Sequence, residues 1–179
     1  KSYLMAFNFE TFPVLKTHRV TLRALNLEDA ETLLALRSSE EINKFVITKR
    51  MQNLEEAKDF IQTCNALYKK EKRIFWVLTN QVEILGTIVL HRISLARKYA
   101  EIGYKLKTEK QQKGFMSEAM TAVLNFGIEQ LNLKIIEAYT HKNNLRSIAL
   151  LKKHHFVFQV HRKDPSFEHN RIFKREISF

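Results

Sequence analysis

One stretch restricts the fold more than any other. Across residues 99–140 a strand, a polar loop, an amphipathic helix and a second strand follow one another. Residues 99–106 alternate, with Ala100, Ile102, Tyr104 and Leu106 on one face. Residues 107–113 are dominated by Lys, Gln and Thr, as a solvated loop requires. Beyond them Met120, Val123, Leu124, Gly127, Ile128 and Leu131 form a single helical stripe. Residues 134–140 read as the next strand. Two strands separated by one helix should lie parallel in a right-handed crossover. Ligands of such sheets bind beyond the carboxyl ends of the strands, where the chain changes direction.

A helix that starts near Gly114 turns unpaired N–H groups and the positive end of its dipole into the polar loop, a setting suited to a phosphate. Gly114 has no Cβ to keep a ligand off its backbone, and Lys110 and Lys113 are cations nearby. Any strand–loop–helix unit has such a helix end, and water commonly occupies it. Spacing alone therefore leaves a phosphate site and a hydrated loop both open.

The remaining segments supply the rest of one domain. Residues 19–25 alternate as an opening strand, and Asn26 or Asp29 caps a helix over 28–37 that turns Leu33 and Leu34 inward. Residues 38–53 are polar and irregular apart from Ile42, Phe45, Val46 and Ile47. Asn53 and Glu56 begin a helix over 54–69 with the stripe Ala57, Phe60, Ile61, Cys64. Strands at 73–79 and 84–91 form a hairpin through Asn80-Gln81-Val82-Glu83, and Trp76 in the first is core or cleft wall. Asn144 opens another helix carrying Ile148 and Leu151, and strands at 156–162 and 171–179 flank a connection broken by Pro165.

At 179 residues the chain buries about two thirds of its unfolded surface as one domain. Four Gly and two Pro leave no flexible linker. Because the chain begins at Lys1, residues 1–12 are set aside as an N-terminal extension or tag remnant, and the domain is expected over 13–179. The single Cys64 allows no internal disulfide and reads as a core thiol in a reducing, cytoplasmic setting. No apolar run approaches the roughly 20 residues of a membrane span. A net charge of +11 fits an anionic ligand, an acidic protein, a ribosome or nucleic acid, or merely a solvated basic surface, since the cations are dispersed.

Gln111-Gln112-Lys113-Gly114-Phe115-Met116 resembles the Gln/Arg-x-x-Gly-x-Gly/Ala signature of the GNAT superfamily of acyl-CoA N-acyltransferases. The wider run, Ala100-Glu101-Ile102-Gly103-Tyr104 through Gly114-Phe115-Met116-Ser117-Glu118-Ala119, is similar to the Rim-type branch, which acetylates N-terminal amines of ribosomal proteins. Gln112 stands where that branch often has Gly, and Met116 where it has a small residue. The resemblance implies an α+β (α/β) fold: a mixed, mostly antiparallel sheet of about seven strands with a splayed central parallel pair, and about four helices. It implies acetyl-CoA as cosubstrate, with no metal. Tyr104 and Leu106 would bind it through their backbone, joined by Gln111, Gln112, Lys113, Gly114, Phe115, Met116, Ser117, Asn144 and Ser147. The irregular region 38–53 would wall the acceptor cleft.

Acyl transfer to an amine needs a neutral amine, a stabilised carbonyl oxygen, a proton for the leaving thiolate, and alignment. An N-terminal α-amine has a pKa of about 8, so a weak base acting through water suffices, without a covalent intermediate. Asn144 and Ser147 resemble the family's Asn-x-x-Ser, in which Asn contacts the pantetheine arm and Ser protonates the thiolate; by themselves they read as a helix cap. Other GNAT enzymes use a Tyr at the position of Leu151, which has no proton to give, so the role falls to Ser147. Candidate bases are Glu101, then Glu168 and Glu137, any of which would alternatively bind the incoming ammonium. His154 and His155 diverge too far for a metal pair, and Lys152 and Lys153 read as solvated surface. The expected acceptor is a protein N-terminus. A small amine (polyamine, amino acid or amino sugar) is the alternative, and a non-catalytic ribosome- or nucleic-acid-binding module the second. The protein is expected to act as a monomer or homodimer, away from membranes.

Overall fold

A computed structural model describes residues 6–178. Eight strands form one sheet: β1 (Leu15–Lys16), β2 (Thr21–Ala24), β3 (Ile74–Thr79), β4 (Ile84–Ser94), β5 (Tyr99–Leu106), β6 (Ile135–His141), β7 (Val157–Phe158) and β8 (Asn170–Glu176). Their order is β1-β2-β3-β4-β5-β6-β8-β7, and β5 and β6 are the parallel pair. Four α-helices accompany them: α1 (Ala30–Ser38), α2 (Leu54–Lys69), α3 (Phe115–Glu129) and α4 (Leu145–Lys153). The sequence led us to expect about seven strands. The additional one is β1, two residues too short to show alternation, which pairs Leu15 with Leu22 and Lys16 with Thr21. The expected strand over 156–162 shrinks to β7, because the chain turns after Phe158 and Arg162 N–H donates to the Gln159 carbonyl at 3.0 Å.

Local chemistry explains where the helices begin. Asn26 and Asp29 cap each other's backbone in the turn before α1, and Arg23 grips buried Asp29 through Nη1 and Nη2 at 2.8 and 2.9 Å. Asn53 Oδ1 accepts from Glu56 N–H at 2.9 Å to start α2, whose Ala57, Ile61 and Cys64 turn inward. Those residues pack with Leu33, Phe75 and Val77 on one side of the sheet. On the other side α3 and α4 cover a larger core with Trp76, Ile88, Leu90, Ile102, Met120, Val123, Leu151 and Phe173. Each such large side chain gains roughly 1.5–3 kcal/mol on full burial. Residues 6–12, set apart from the domain in the sequence reading, lie on this core. Phe7 meets Phe126 edge-on at 5.1 Å, and Phe9 and Phe12 meet Tyr68 at 5.3 and 5.1 Å. Trp76 is fully buried there, its indole N–H donating to the Pro13 carbonyl at 2.8 Å. Among the described residues no helix is long and apolar enough to cross a membrane.

The sheet opens at one place. β5 and β6 pair only through Tyr99–Ile135, Ala100–Ile136 and Glu101–Glu137. Beyond Glu101, β5 continues on β4 to Leu106 while β6 follows β8 to His141, so the two parallel strands part. The register of β4 on β5 slips between His91 and Ser94, beside that point, and such bulges increase local twist.

Candidate active site

The parted strands enclose a cavity of about 210 Å³. Ile102, Gly103 and Tyr104 of β5 form one side, and Ala138, Tyr139, Thr140 and His141 of β6 the other. Residues 45–48 wall it on the α1–α2 face, where the sequence reading expected an acceptor cleft, and Phe167 and Asn170 close that end. Asn144 and Ser147 of α4 enter from the opposite face. The volume falls short of the roughly 300–1,000 Å³ of drug-sized pockets. It suits the reacting end of a donor and an amine, and leaves a nucleotide outside.

Asn144 caps α4, its Oδ1 accepting from Ser147 N–H at 3.2 Å, so the capping reading of this residue is realised. That cap seats Ser147, 8% exposed, with its Oγ 2.6 Å from the Tyr104 hydroxyl. Burial pushes the Tyr104 pKa up to about 12, against the opposing pull of Ser147, so the phenol keeps its proton at neutral pH. A phenol that donates to Ser147 Oγ leaves the serine's own proton free for a third atom. The sequence reading gave Tyr104 a backbone role; its side chain is what reaches the cavity.

The loop before α3 holds two left-handed residues, Gln112 at φ 60° and Gly114 at φ 82°. Gly114 is the N-cap of α3 and offers no side chain to its amides. Gln111 ties the loop to its neighbours: its amide donates to the Leu106 carbonyl at 3.1 Å, and its carbonyl oxygen accepts from Arg146 of α4 at 2.7 Å. Gln112 and Lys113 stay exposed, and Phe115 is half-buried. Met116 is buried in the core, and the Ser117 hydroxyl lies 2.9 Å from His154 Nε2, so these two side chains face inward. Lys110 is held 2.8 Å from Glu83.

The carboxylates lie off the cavity lining. Core residues Ala100, Ile102 and Ala138 face α3, so Glu101, Glu137, Tyr139 and His141 face the acceptor wall. Glu101, 7% exposed, accepts from the Tyr99 hydroxyl at 3.1 Å and Arg92 at 3.3 Å. His91 is 3.6 Å away, but burial pulls its pKa down to about 4, so it brings no charge near neutrality. Glu137, 4% exposed, pairs with Arg162. Neither lines the cavity; Tyr139 does, its pKa raised first by burial and then by both carboxylates. Glu168 is 87% exposed beside His169 and does not join the cavity either.

Sequence reasoning missed His141, Tyr139, Phe167 and Asn170. The rings of Phe45, His141 and His169 succeed one another at 5.2 and 5.6 Å, linking the two acceptor-side loops. His141 Nδ1 accepts from Asn143 N–H at 3.0 Å. Its pKa is lowered, by loss of water first and then by His169 and Lys142, which favours the neutral ring with the proton on Nε2. Continuing the alternation Glu137, Tyr139 by one step would have found it.

Parted parallel strands beside an uncapped helix start are what the resemblance to acyl-CoA N-acyltransferases led us to expect. The sequence comparison agrees: the acetyltransferase (GNAT) domain profile matches residues 19–157, and the chain belongs to that family of N-acetyltransferases, built on an acetyl-CoA-binding fold. It is 35% identical over 144 residues to the uncharacterized N-acetyltransferase YoaA of Bacillus subtilis, covering 79% of this chain and 81% of that one. Among solved structures it resembles the Salmonella typhimurium acetyltransferase that modifies the N-terminal serine of ribosomal protein L7/L12. The TM-score is 0.82 at 20% identity, over 93% of this chain and all (100%) of that one. It also resembles the microcin C7 self-immunity acetyltransferase MccE, solved with acetyl-CoA and AMP, with TM-score 0.75 at 22% identity over 90% and 94% of the chains. These two likenesses show the fold alone.

Proposed function

We propose that the chain transfers the acetyl group of acetyl-CoA to the α-amine at the N-terminus of a polypeptide. The observation that carries this reading is the lining of the acceptor side: Phe45, Tyr139, His141, Phe167, Thr48 and Asn170, with no acidic side chain on the cavity wall among the described residues. A polyamine holds several cations and needs carboxylates to replace their lost hydration. A peptide N-terminus brings one amine, neutral for part of the time at physiological pH, and amides that neutral polar groups satisfy. The activity of the Salmonella neighbour is of this kind, and the net charge of +11 suits an acidic carrier of that N-terminus.

In this mechanism the amides from Gln112 to Phe115, with Lys113, receive the pyrophosphate, and Asn144 borders the pantetheine arm. Ser147 gives its proton to the departing sulfur while Tyr104 donates to Ser147 Oγ. The amine loses one proton overall and the thiol gains one, so no cofactor beyond acetyl-CoA is consumed. Glu101 is the proposed base, reaching the amine through water past Tyr139. Glu168 lies too far into solvent to share that work. A cytoplasmic site of action is in keeping with the buried free thiol of Cys64.

A thiol-release assay against N-terminal peptides, spermidine, amino acids and amino sugars tests the acceptor. Peptides should lead by at least tenfold in kcat/KM, and a lead by spermidine would reverse the assignment. In the same assay Ser147→Ala should lower kcat by about 10²–10⁴ with acetyl-CoA affinity nearly unchanged. Glu101→Gln should lose most below pH 8, where the amine is protonated, and recover above it; a loss independent of pH would remove Glu101 as base.

A further inference from the structure

The anion-binding loop is held from outside by a residue 95 positions earlier than Gly114, counted from Arg19 in the turn between β1 and β2. Arg19 touches this loop and the first turn of α3 at Lys113, Phe115 and Glu118, and passes close to Gly114. Its Nη1 donates to the Lys113 carbonyl at 2.9 Å. Its Nη2 lies 3.1 Å from where a Cβ on Gly114 would sit. Its guanidinium stacks over the Phe115 ring, 4.4 Å from the centroid. Its Nε donates to Glu118 Oε1 at 3.0 Å, and its own backbone N–H to Glu118 Oε2 at 2.9 Å. The Thr17 hydroxyl completes the set by donating to the same carboxylate.

The peptide bond between Lys113 and Gly114 turns this grip into a functional device. In a planar trans peptide the carbonyl and the following N–H point in opposite directions. Fixing the Lys113 carbonyl on Arg19 therefore fixes the Gly114 N–H on the other side, away from Arg19. The loop needs such a holder, because Gln112 and Gly114 are both left-handed and Gly114 supplies no capping side chain. The same guanidinium offsets the charge of Glu118, which would otherwise repel an anion from the helix start.

We propose that Arg19 is the positioning residue of the pyrophosphate site: it aims the Gly114 amide and shields the site from Glu118 without touching the acyl end of the donor. The inference rests on acetyl-CoA being the donor. It requires that losing Arg19 harm only donors that carry a pyrophosphate. The test compares kcat/KM for acetyl-CoA and for S-acetylpantetheine, which lacks the nucleotide, in the native protein and in Arg19→Gln and Arg19→Lys. With Arg19→Gln, KM for acetyl-CoA should rise about tenfold, the scale of a lost charge-assisted hydrogen bond, with kcat within twofold. kcat/KM for S-acetylpantetheine should stay within twofold of native. Arg19→Lys should restore less than half of the loss, since an ammonium cannot span carbonyl and carboxylate as the planar fork does. Thermal melting runs alongside; should Arg19→Gln fail to fold, Arg19→Lys alone must give the same donor-selective pattern, to a smaller extent. Equal losses with both donors, or an unchanged KM for acetyl-CoA, would overturn the proposal. If the native protein releases thiol from neither donor, it is the acetyl-CoA reading that fails instead.

Discussion

The hydroxyls of Tyr104 and Ser147 form the pair that the proposed chemistry uses. They come from β5 and α4, 43 positions apart, and meet at 2.6 Å. Leu151 is buried and has no proton to give, whereas the phenol arriving from the strand places a proton donor beside the serine. Because burial holds its pKa near about 12, Tyr104 does not titrate over the working range. Tyr104→Phe should therefore lower the plateau of kcat by about 10–10², leave acetyl-CoA affinity within twofold, and leave the inflection set by the amine in place. A full pH–rate profile reads all three, and an unchanged plateau would leave Ser147 acting alone.

Among the elements, the irregular segment between α1 and α2 walls the cavity through residues 45–48 without regular structure. Arg50 holds it from within, donating to the carbonyls of Val46 at 2.9 Å, Thr48 at 3.1 Å and Asn43 at 2.7 Å. Its Nε is buried without a hydrogen bond, although the Glu40 carboxylate is 3.4 Å away, so the geometry there is that of an ion pair only. Asn43 is held in turn, donating to the Leu36 and Ser39 carbonyls at 2.8 and 2.7 Å and accepting from Lys105 of β5. Burial, with Arg37 and Arg50 nearby, pulls the Lys105 pKa down to about 8, the mark of a cation placed for its bond to Asn43 at a cost in hydration. Arg50→Ala releases three carbonyls and should raise KM for the peptide acceptor at least tenfold. Acetyl-CoA affinity should not change, and stability should fall by about 1–3 kcal/mol. Calorimetric titration of each substrate separates the two effects.

In the whole molecule, both faces of the sheet are covered while its middle is left open, and the cover extends further than a minimal domain would suggest. Phe7, Phe9 and Phe12 close the core over Tyr68, Trp76 and Phe126, with Tyr68 donating to the Thr11 carbonyl at 2.8 Å. Trp76, the single tryptophan, reports on that seam. Phe12→Ala should cost about 2 kcal/mol in urea unfolding followed by Trp76 fluorescence, with kcat unchanged because the seam lies away from the cavity. A cost under about 0.5 kcal/mol would mean the segment rests on the core without supporting it.

Periodicity alone marked the strand, loop, helix and strand of residues 99–140, because each element's dihedrals repeat along the chain and leave a local trace in the placement of apolar residues. Residue chemistry rather than spacing marked Gly114 at the helix start and Asn144 as a cap. The tertiary structure decided what no local pattern carries: that Tyr104 meets Ser147, that Arg19 reaches Glu118 from 99 positions away, and that His141 stacks between two distant loops. Side chains so far apart in sequence are brought together by how the sheet opens, and the opening follows from which partner each strand keeps. Glu101 was visible as a buried carboxylate on a strand, but whether it reaches the amine depends on Tyr139 and Arg92 standing around it, which is a property of the packed molecule.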